Sequence, residues 1–225
     1  VLYSPGGRVS AVLMEWSLVA DVDYESEWMR FLGGFRFTVT ALQRILCLRR
    51  YEATIHYLPA GATGKTPQKE DFYREGGSGA LPPLGTPLPT DAGWVTLTGN
   101  FHVALVSNNS HIDEVTPLSP DAAIDDGLFH LVWTEGGTSW GERCQLLRGF
   151  LAMEDGGHVD LPIFNVAPCT AYRIEPLMGR MGVDGEEIPR AVTQSEIFPG
   201  VLKMFCPNLS ENKDTFLGVA PPPPS

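Results

Sequence analysis

The chain is organised around one stretch, Trp16-Ser-Leu-Val-Ala-Asp21-Val-Asp23-Tyr-Glu25-Ser-Glu27-Trp-Met-Arg30-Phe-Leu-Gly33-Gly34-Phe-Arg36-Phe37. Residues 12–20 are apolar enough to predict a buried strand. Asp23 is a typical N-cap residue and predicts a helix over 24–32. The stretch therefore predicts a strand that switches directly into a helix, with Asp21 and Asp23 at the switch, where side chains can face a cleft.

The charges of this stretch change sign along its length. Four carboxylates come first, and Arg30 follows Asp23 by about two helical turns. Arg36 then opens a second predicted helix, so a negative and a positive group could flank one crevice. The alternative is a helix start that carries only caps and solvated charge, because acids near a helix N-terminus are favoured by the helix dipole.

The composition limits the classes of protein to consider. The chain has 225 residues, 43% hydrophobic and 19% charged, which suffices for one large domain or two small ones. Its net charge of −11 argues against a nucleic-acid partner and suits a cationic ligand. There is no apolar run of about 18 residues and no signal-peptide pattern, and the chain begins at Val1 without a methionine. We expect a soluble, cytoplasmic protein, and a fragment of a longer one.

The cysteines and one glycine-rich segment predict no metal or nucleotide site. Cys47, Cys144, Cys169 and Cys206 are widely spaced, and Cys47 and Cys144 fall in apolar helical patterns, which favours buried free thiols. The segment 61–66, Gly-Ala-Thr-Gly-Lys-Thr, has two residues between its glycines where a phosphate-binding loop needs four, and a proline follows it.

The remaining patterns predict a mainly β fold, a two-layer antiparallel β-sandwich with a few helices. Apolar residues recur at helical spacing from Phe37 to Leu48 and between Trp140 and Met153. Short β-rich runs cover 51–58, 94–97, 101–107 and 128–134, and four or five strands are expected over 163–205. We predict one domain over 1–207, a long exposed loop at 61–93 within it, and a disordered Pro-rich tail at 208–225.

A series of motifs in order resembles the C-terminal domain of sphingosine kinases over about residues 8–205. The motifs are Ala20-Asp21-Val22-Asp23, Glu25-Ser26-Glu27, Ser110-His111-Ile112, Asp126-Gly127-Leu128, Phe150-Leu151-Ala152-Met153-Glu154, Arg173-Ile174-Glu175-Pro176 and Val183-Asp184-Gly185-Glu186. The resemblance implies a two-sheet sandwich with a lipid slot between helices and sheet. It also implies phosphorylation of sphingosine or sphinganine on the primary hydroxyl, with ATP and Mg²⁺ as cofactors.

The resemblance also implies roles for individual residues. Asp23 matches the aspartate that binds the substrate amine, and Arg30, Arg36 and Glu186 match nucleotide-side residues. The positions that match the lipid tunnel are Leu18, Phe37, Ile45, Val103, Leu105, Ile112, Val132, Leu146, Phe150 and His158. Without the resemblance these hydrophobic residues would be assigned to an ordinary core.

Two departures from the family bear on activity. Where the family tends to have Ser-Leu-Ala-Trp-Gly, this chain has Leu13-Met14-Glu15-Trp16-Ser17, which removes a polar contact at Leu13 and adds a charge at Glu15. The family's glycine-rich phosphate loop and hydroxyl-activating aspartate lie on an N-terminal domain, and no segment here resembles either. We therefore assign no catalytic residue to this chain and expect it to be inactive alone.

Three alternatives remain open at this stage. The chain could be a non-catalytic lipid-binding or interaction module, or a relative of ceramide or diacylglycerol kinases, whose substrates lack a free ammonium. The predicted helix at 37–50 also resembles a family segment that binds calmodulin-like partners, although a gate over the tunnel is the favoured interpretation. Contact with a membrane is expected to be peripheral, because the substrate is drawn from a bilayer.

Overall fold

The computed structural model describes residues 2–4, 8–62, 72, 81–113 and 116–203. The predicted Pro-rich tail at 208–225 and most of the predicted loop at 61–93 lie outside these residues. Within that loop, the described stretch 81–93 contains no helix or strand. The predicted domain boundaries stay a prediction.

The described residues form ten strands, three α-helices and two short 3₁₀ helices. The strands are β1 (Leu2–Ser4), β2 (Arg8–Ser10), β3 (Leu13–Ser17), β4 (Tyr51–Pro59), β5 (Val95–Ser107), β6 (Phe129–Glu135), β7 (Phe164–Pro176), β8 (Met181–Val183), β9 (Glu186–Ile188) and β10 (Thr193–Glu196). The helices are α1 (Leu18–Glu25), α2 (Phe35–Leu46) and α3 (Trp140–Ala152), with 3₁₀ helices at Glu27–Leu32 and Gly157–Asp160.

Two long strands connect the two layers of the sheet. Both β5 and β7 have 13 residues, and each pairs with β4 through one half and with β6 through the other. β4, β5, β6 and β7 therefore pair in a closed ring, which β3, β8 and β9 extend from β5 and β10 extends from β7. Every pairing between these described strands is antiparallel, so the predicted mainly β, antiparallel fold with a few helices is confirmed.

The core fills the ring and continues beneath the helices. Trp16 is fully buried on β3 and makes edge contacts with Tyr51 and Phe101, at ring-centroid distances of 6.2 and 6.0 Å. A second, smaller cluster of apolar side chains lies on the other side of β5 and β6 and includes Val103 and Phe164. The two clusters explain why the residues of β6 from 129 to 134 are all buried.

The prediction for the first helix is wrong in its bounds. The strand ends at Ser17 and α1 begins at Leu18, so Asp23 lies inside the helix and does not cap it. Leu18 and Val22, one turn apart, are both buried, and their burial favours a helix where the strand was expected to continue. The later part of the predicted helix is the separate 3₁₀ helix Glu27–Leu32.

The other predicted helices are confirmed, with one correction about cysteines. α2 covers most of the predicted 37–48 pattern, and α3 begins at a capping box in which Ser139 and Glu142 each bind the other's backbone N–H. Cys47 and Cys144 are exposed free thiols, so their predicted burial is wrong. Cys47 lies just past the end of α2, where the apolar period no longer applies, and the buried thiol is Cys169 on β7. The runs 94–97 and 101–107 form one strand, β5.

Candidate functional site

A backbone turn at Ser17 places α1 over the end of β3. Ser17 has φ 74° and ψ −138°, a backbone conformation that residues other than glycine rarely adopt. Its hydroxyl donates hydrogen bonds to the carbonyls of Trp16 and His102, the latter at 2.9 Å, which holds the turn against β5. Because of the turn, residues of β3 and of the first turn of α1 line the same cavity.

One face of α1 is tied to the fold by arginines. Asp21 is buried and accepts hydrogen bonds from Arg49 Nη1 at 2.8 Å and from Tyr51 Oη at 2.7 Å. Glu25, one turn later, pairs with Arg44 and with Arg49. Burial and the Asp21 carboxylate together raise the pKa of Tyr51. The prediction that Asp21 faces a cleft is wrong, since its carboxylate is fully used inside the fold.

The opposite face of α1 carries Asp23 into the cavity. Its carboxyl and that of Glu15 on β3 line the same cavity and lie close enough to influence each other's pKa. Tyr24 Oη donates to Glu15 Oε1 at 2.8 Å. Burial raises the pKa of Asp23, and the nearby positive charge of Arg36 opposes that rise. Glu15 and Asp23 line the cavity and Tyr24 supports Glu15, and we call these three side chains the polar end of the cavity.

The predicted phosphate-binding arginines lie next to this polar end. Arg30 and Arg36 both pair with Glu27, at 2.5 and 2.7 Å, and the side chain of Arg36 is 14% exposed whereas that of Arg30 is 73% exposed. The hydrogen bond from Arg36 and the charge of Arg30 lower the pKa of Glu27. Both guanidinium charges also act on Asp23, so the predicted positive and negative groups do meet in one place.

The cavity has a volume of about 1010 Å³ and its lining is mostly apolar. It lies between β3, α1, α2 and α3, over the smaller of the two apolar clusters. Of the residues predicted for the lipid tunnel, seven line it together with Asp23: Leu18, Phe37, Ile45, Val103, Ile112, Leu146 and Phe150. A mostly apolar cavity with a few polar groups is typical of a small-molecule site. The polar lining residues are Glu15, Asp23, Thr38, Asp113, Thr116, Glu154 and Asp184.

Three further residues predicted for the lipid tunnel lie behind the cavity wall. Leu105 and Val132 are fully buried in the cluster that also contains Val103 and Phe164. His158 is fully buried, its Nε2 donates to the carbonyl of Leu118 at 3.0 Å, and burial lowers its pKa. None of the three is among the lining residues, so any effect they have on a ligand is through the shape of the wall.

Glu186 lies on β9, exposed, and does not line the cavity, although its neighbours Asp184 and Gly185 do. The Asp184 carboxylate accepts hydrogen bonds from Ser10 Oγ at 2.5 Å and from the backbone N–H groups of residues 11–13, at 3.0 Å each. This carboxylate fixes the start of β3 at the rim of the cavity. Sequence reasoning missed this role, because it depends on the contact of Asp184 with residues about 170 positions earlier in the chain.

Sequence reasoning also missed the positions of Glu15 and Tyr24. Glu15 was noted only as a charge where the family has a small residue. Neither its burial nor its contact with Tyr24 is visible in a pattern, because both depend on how α1 folds back over β3. The described residues include no group of three or more His, Cys, Asp or Glu side chains placed to hold a metal ion. Within the same residues, no helix is long and apolar enough to cross a membrane.

Comparison with known proteins gives the context for this geometry. Residues 88–206 match the family described as "YegS C-terminal NAD kinase beta sandwich-like domain". The chain is 34% identical to human "Sphingosine kinase 1" over 228 residues, which cover 98% of this chain and 55% of that protein. It is 46% identical to human "Sphingosine kinase 2" over 125 residues, which cover 54% of this chain and 18% of that protein.

Among solved structures, a putative diacylglycerol kinase from Bacillus anthracis aligns with 89% of this chain and 53% of its own, at 14% identity and a TM-score of 0.50, which shows a shared fold. The chain spans about half the length of the three curated mammalian proteins named "Sphingosine kinase 1" that it matches. The resemblance to sphingosine kinases is confirmed, and the chain belongs to the family of YegS C-terminal NAD kinase β-sandwich-like domains.

Proposed function

We propose that this chain is the lipid-binding half of a sphingosine kinase, which holds a sphingoid base while the full-length enzyme transfers the γ-phosphate of ATP to its primary hydroxyl. The observation that carries the proposal is the cavity, which is apolar along its walls and holds the Asp23 carboxyl at its polar end. Its volume of about 1010 Å³ is at the upper end of the range of roughly 300–1,000 Å³ that is common for ligand pockets.

The two parts of the cavity fit the two parts of such a lipid. Burial of the alkyl chain contributes about 0.8 kcal/mol for each methylene group, so the apolar wall supplies affinity. A charge-assisted hydrogen bond from an ammonium to Asp23 contributes roughly 1.5–3 kcal/mol and fixes the orientation of the head group. Ceramide and diacylglycerol would leave the half-buried Asp23 carboxyl without a cation, so they fit this site less well.

The residues next to the cavity also suit a nucleotide phosphate. Arg30 and Arg36 present two guanidinium groups beside Asp23, and both now pair with Glu27. They would hold phosphate oxygens, with Glu27 as the group that the phosphate displaces. When bound, ATP supplies the phosphoryl group and Mg²⁺ neutralises the developing charge. We assign no Mg²⁺ ligand to the described residues, and the role of Glu186 stays a prediction.

Titration of the chain with sphingosine and with ceramide at fixed pH tests the proposal. We expect sphingosine to bind the wild type, and Asp23→Asn to weaken this binding by about 2 kcal/mol while ceramide binding changes little. Asp91→Asn removes an exposed carboxylate outside the cavity and serves as the control of equal charge. Equal binding of both lipids, with no effect of Asp23→Asn, would contradict the proposal.

Exposed hydrophobic side chains near the cavity support the expected peripheral membrane contact. Trp28 and Phe31 on the 3₁₀ helix are 74% and 78% exposed, and Phe35 and Leu46 at the two ends of α2 are also exposed. Since α2 lines the cavity, a bilayer at this surface could deliver a lipid directly. Replacing both Trp28 and Phe31 by Ser should reduce co-sedimentation with vesicles and leave binding of short-chain, water-soluble sphingosine analogues unchanged. Loss of both co-sedimentation and analogue binding would contradict this role.

The calmodulin-like partner and the cytoplasmic location stay predictions. α2 is a wall of the cavity through Ala41 and Ile45, and Arg44 near its C-terminus pairs with Glu25. A partner that wraps around this helix would have to pull it away from α1. The contacts therefore favour the function of α2 as a gate over the lipid.

A further inference from the structure

Glu15 is a buried carboxyl group in the middle of β3 that lines the cavity beside Asp23. It accepts a hydrogen bond from Tyr24 Oη at 2.8 Å, and the Asp23 carboxyl beside it lines the same cavity. Two carboxyl groups can form a hydrogen bond with each other only when one of them is protonated. Two carboxyl groups that line one cavity, one of them buried without a cationic partner among the described residues, favour a state in which one proton is shared between Glu15 and Asp23.

The packing around Glu15 leaves no room for another partner on the strand side. β8 passes next to it at Gly182, where an added Cβ would lie 1.9 Å from Tyr24 Oη and 2.6 Å from Glu15 Oε1. The glycine allows the backbone of β8 to close over the Tyr24–Glu15 contact. Glu15 is left with Tyr24 on one side, Asp23 on the other, and the cavity in front.

The charged groups around the pair come from three further elements. Arg30, in the 3₁₀ helix, and Arg36, on α2, act on Asp23 with positive charge, and Glu27 acts with negative charge. Glu187 on β9 acts on Tyr24. No arginine, lysine or histidine of the described residues forms an ion pair with Glu15 itself. Asp23 is therefore the member that is ionised first, and Glu15 is the member that keeps the proton.

Glu15 is mostly protonated at acidic pH. Burial, and then the negative charge of Asp23, raise the pKa of Glu15 to about 7, while the hydrogen bond from Tyr24 opposes the rise. At neutral pH the empty pair is divided between a form with one negative charge and a form with two. An ammonium in the cavity stabilises the doubly charged form, because opposite charge favours ionisation.

We propose that Glu15 determines the head-group specificity of this site by sharing one proton with Asp23 and releasing it to solvent when a cationic head group binds. The inference rests on the proposed lipid-binding function of the cavity. A cation turns the pair into a dianion and is held by both carboxylates. A neutral head group cannot displace the proton and meets a pair with only one charge.

Two measurable consequences follow by linkage. Binding of a cationic lipid releases protons near pH 7, and its affinity rises as the pH rises from 6 to 8, by up to about tenfold for each pH unit over which a full proton is released. Binding of a neutral lipid has neither property. Glu15→Gln mimics the protonated form permanently, since the amide accepts from Tyr24 and donates to Asp23.

Calorimetric titration with sphingosine at pH 6, 7 and 8, in two buffers of different ionisation enthalpy, tests the proposal. For the wild type we expect release of about half a proton at pH 7 and about tenfold tighter binding at pH 8 than at pH 6. Glu15→Gln should release fewer protons than the wild type and keep the affinity that the wild type has at pH 6. The lipid amine titrates in the same way with both proteins, so it cannot cause a difference in proton release between the wild type and Glu15→Gln.

Two variants separate this role from a purely structural one. Tyr24→Phe removes the hydrogen bond that lowers the pKa of Glu15, so the midpoint of the affinity increase should move to higher pH. Glu52→Gln changes an exposed glutamate on β4 and should behave like the wild type. If the wild type and Glu15→Gln release the same number of protons, or if Tyr24→Phe leaves the midpoint unchanged, the inference is wrong while lipid binding stands. If neither the wild type nor Glu52→Gln binds sphingosine, the proposed function fails, and the inference fails with it.

Discussion

Asp21 and Asp23 are two residues apart on α1 and lie in opposite environments. Asp21 is buried and accepts hydrogen bonds from Arg49 and Tyr51, so its charge is compensated within the fold. Asp23 faces the cavity, where burial raises its pKa and its neighbour is another carboxyl, that of Glu15. A carboxylate whose partners are all inside the fold stabilises the protein, whereas one left short of positive partners is available to a ligand.

The largest effect expected from this comparison is on stability at the Asp21 side. Asp21→Asn should lower the free energy of unfolding by about 2–3 kcal/mol, because it removes the charged acceptor of the buried Tyr51 hydroxyl and one partner of the half-exposed Arg49. Asp23→Asn should change it by less than about 1 kcal/mol, since it removes a charge that burial disfavours. Urea unfolding of both variants at pH 7 measures the difference. Similar losses in the two variants would contradict the assignment of different roles.

A smaller effect, opposite in sign, is expected at Glu15 on the cavity side. Its pKa is about 7 in the folded protein against an ordinary value of 4.5, so the folded state binds its proton more tightly than the unfolded chain. Its contribution to stability is therefore fully present below about pH 4.5 and is lost as the pH rises through about 7. Glu15→Gln, which cannot ionise, should be more stable than the wild type by about 2 kcal/mol at pH 8.

The pH series itself provides the control for that prediction. At pH 5 most wild-type molecules already carry a protonated Glu15 in the folded state, so the advantage of Glu15→Gln should be smaller than at pH 8. Thermal unfolding of the two proteins at both pH values measures this. An advantage that does not change with pH would show that the Glu15 carboxyl is not held protonated by burial.

Sequence patterns predicted the helices around the site and the approach of acids to arginines because these depend on local spacing, whereas the lining residues were named only through the family resemblance. The helical period identified α2 and α3, and the order of acids and arginines placed Asp23 near Arg36. What the sequence could not predict depends on distant partners. The start of α1 depends on a hydrogen bond from Ser17 to His102, and the environment of Glu15 depends on Gly182.

The sequence patterns also could not show which residues lie behind the cavity wall rather than on its surface. Leu105 and Val132 alternate along their strands in the same way as Val103, which lines the cavity, yet both lie in the layer behind it. Alternation assigns a residue to a face of the sheet but does not show whether that face is covered by another side chain or is open. The closed ring of β4, β5, β6 and β7 could not be predicted for a related reason, because it depends on a change of partner along two long strands, β5 and β7.

The smallest effect concerns the turn that gives α1 its two different faces. Ser17 adopts φ 74° and ψ −138°, a strain that costs on the order of 1–3 kcal/mol for a residue other than glycine. Its hydrogen bond to the His102 carbonyl returns about 1 kcal/mol of this. Ser17→Gly should therefore raise the free energy of unfolding by about 1 kcal/mol, and Ser17→Ala, which keeps the strain and loses the hydrogen bond, should lower it by about the same amount.

Urea unfolding of these two variants against the wild type measures both signs. Because glycine keeps the turn, Ser17→Gly should leave α1 in place, with Asp21 on Arg49 and Asp23 in the cavity. Sphingosine should then bind Ser17→Gly as it binds the wild type. Equal losses of stability in the two variants, which both lack the hydroxyl, would show that the Ser17 hydroxyl, rather than the relief of backbone strain, holds the junction. In that case the orientation of both aspartates would depend on one hydrogen bond to β5.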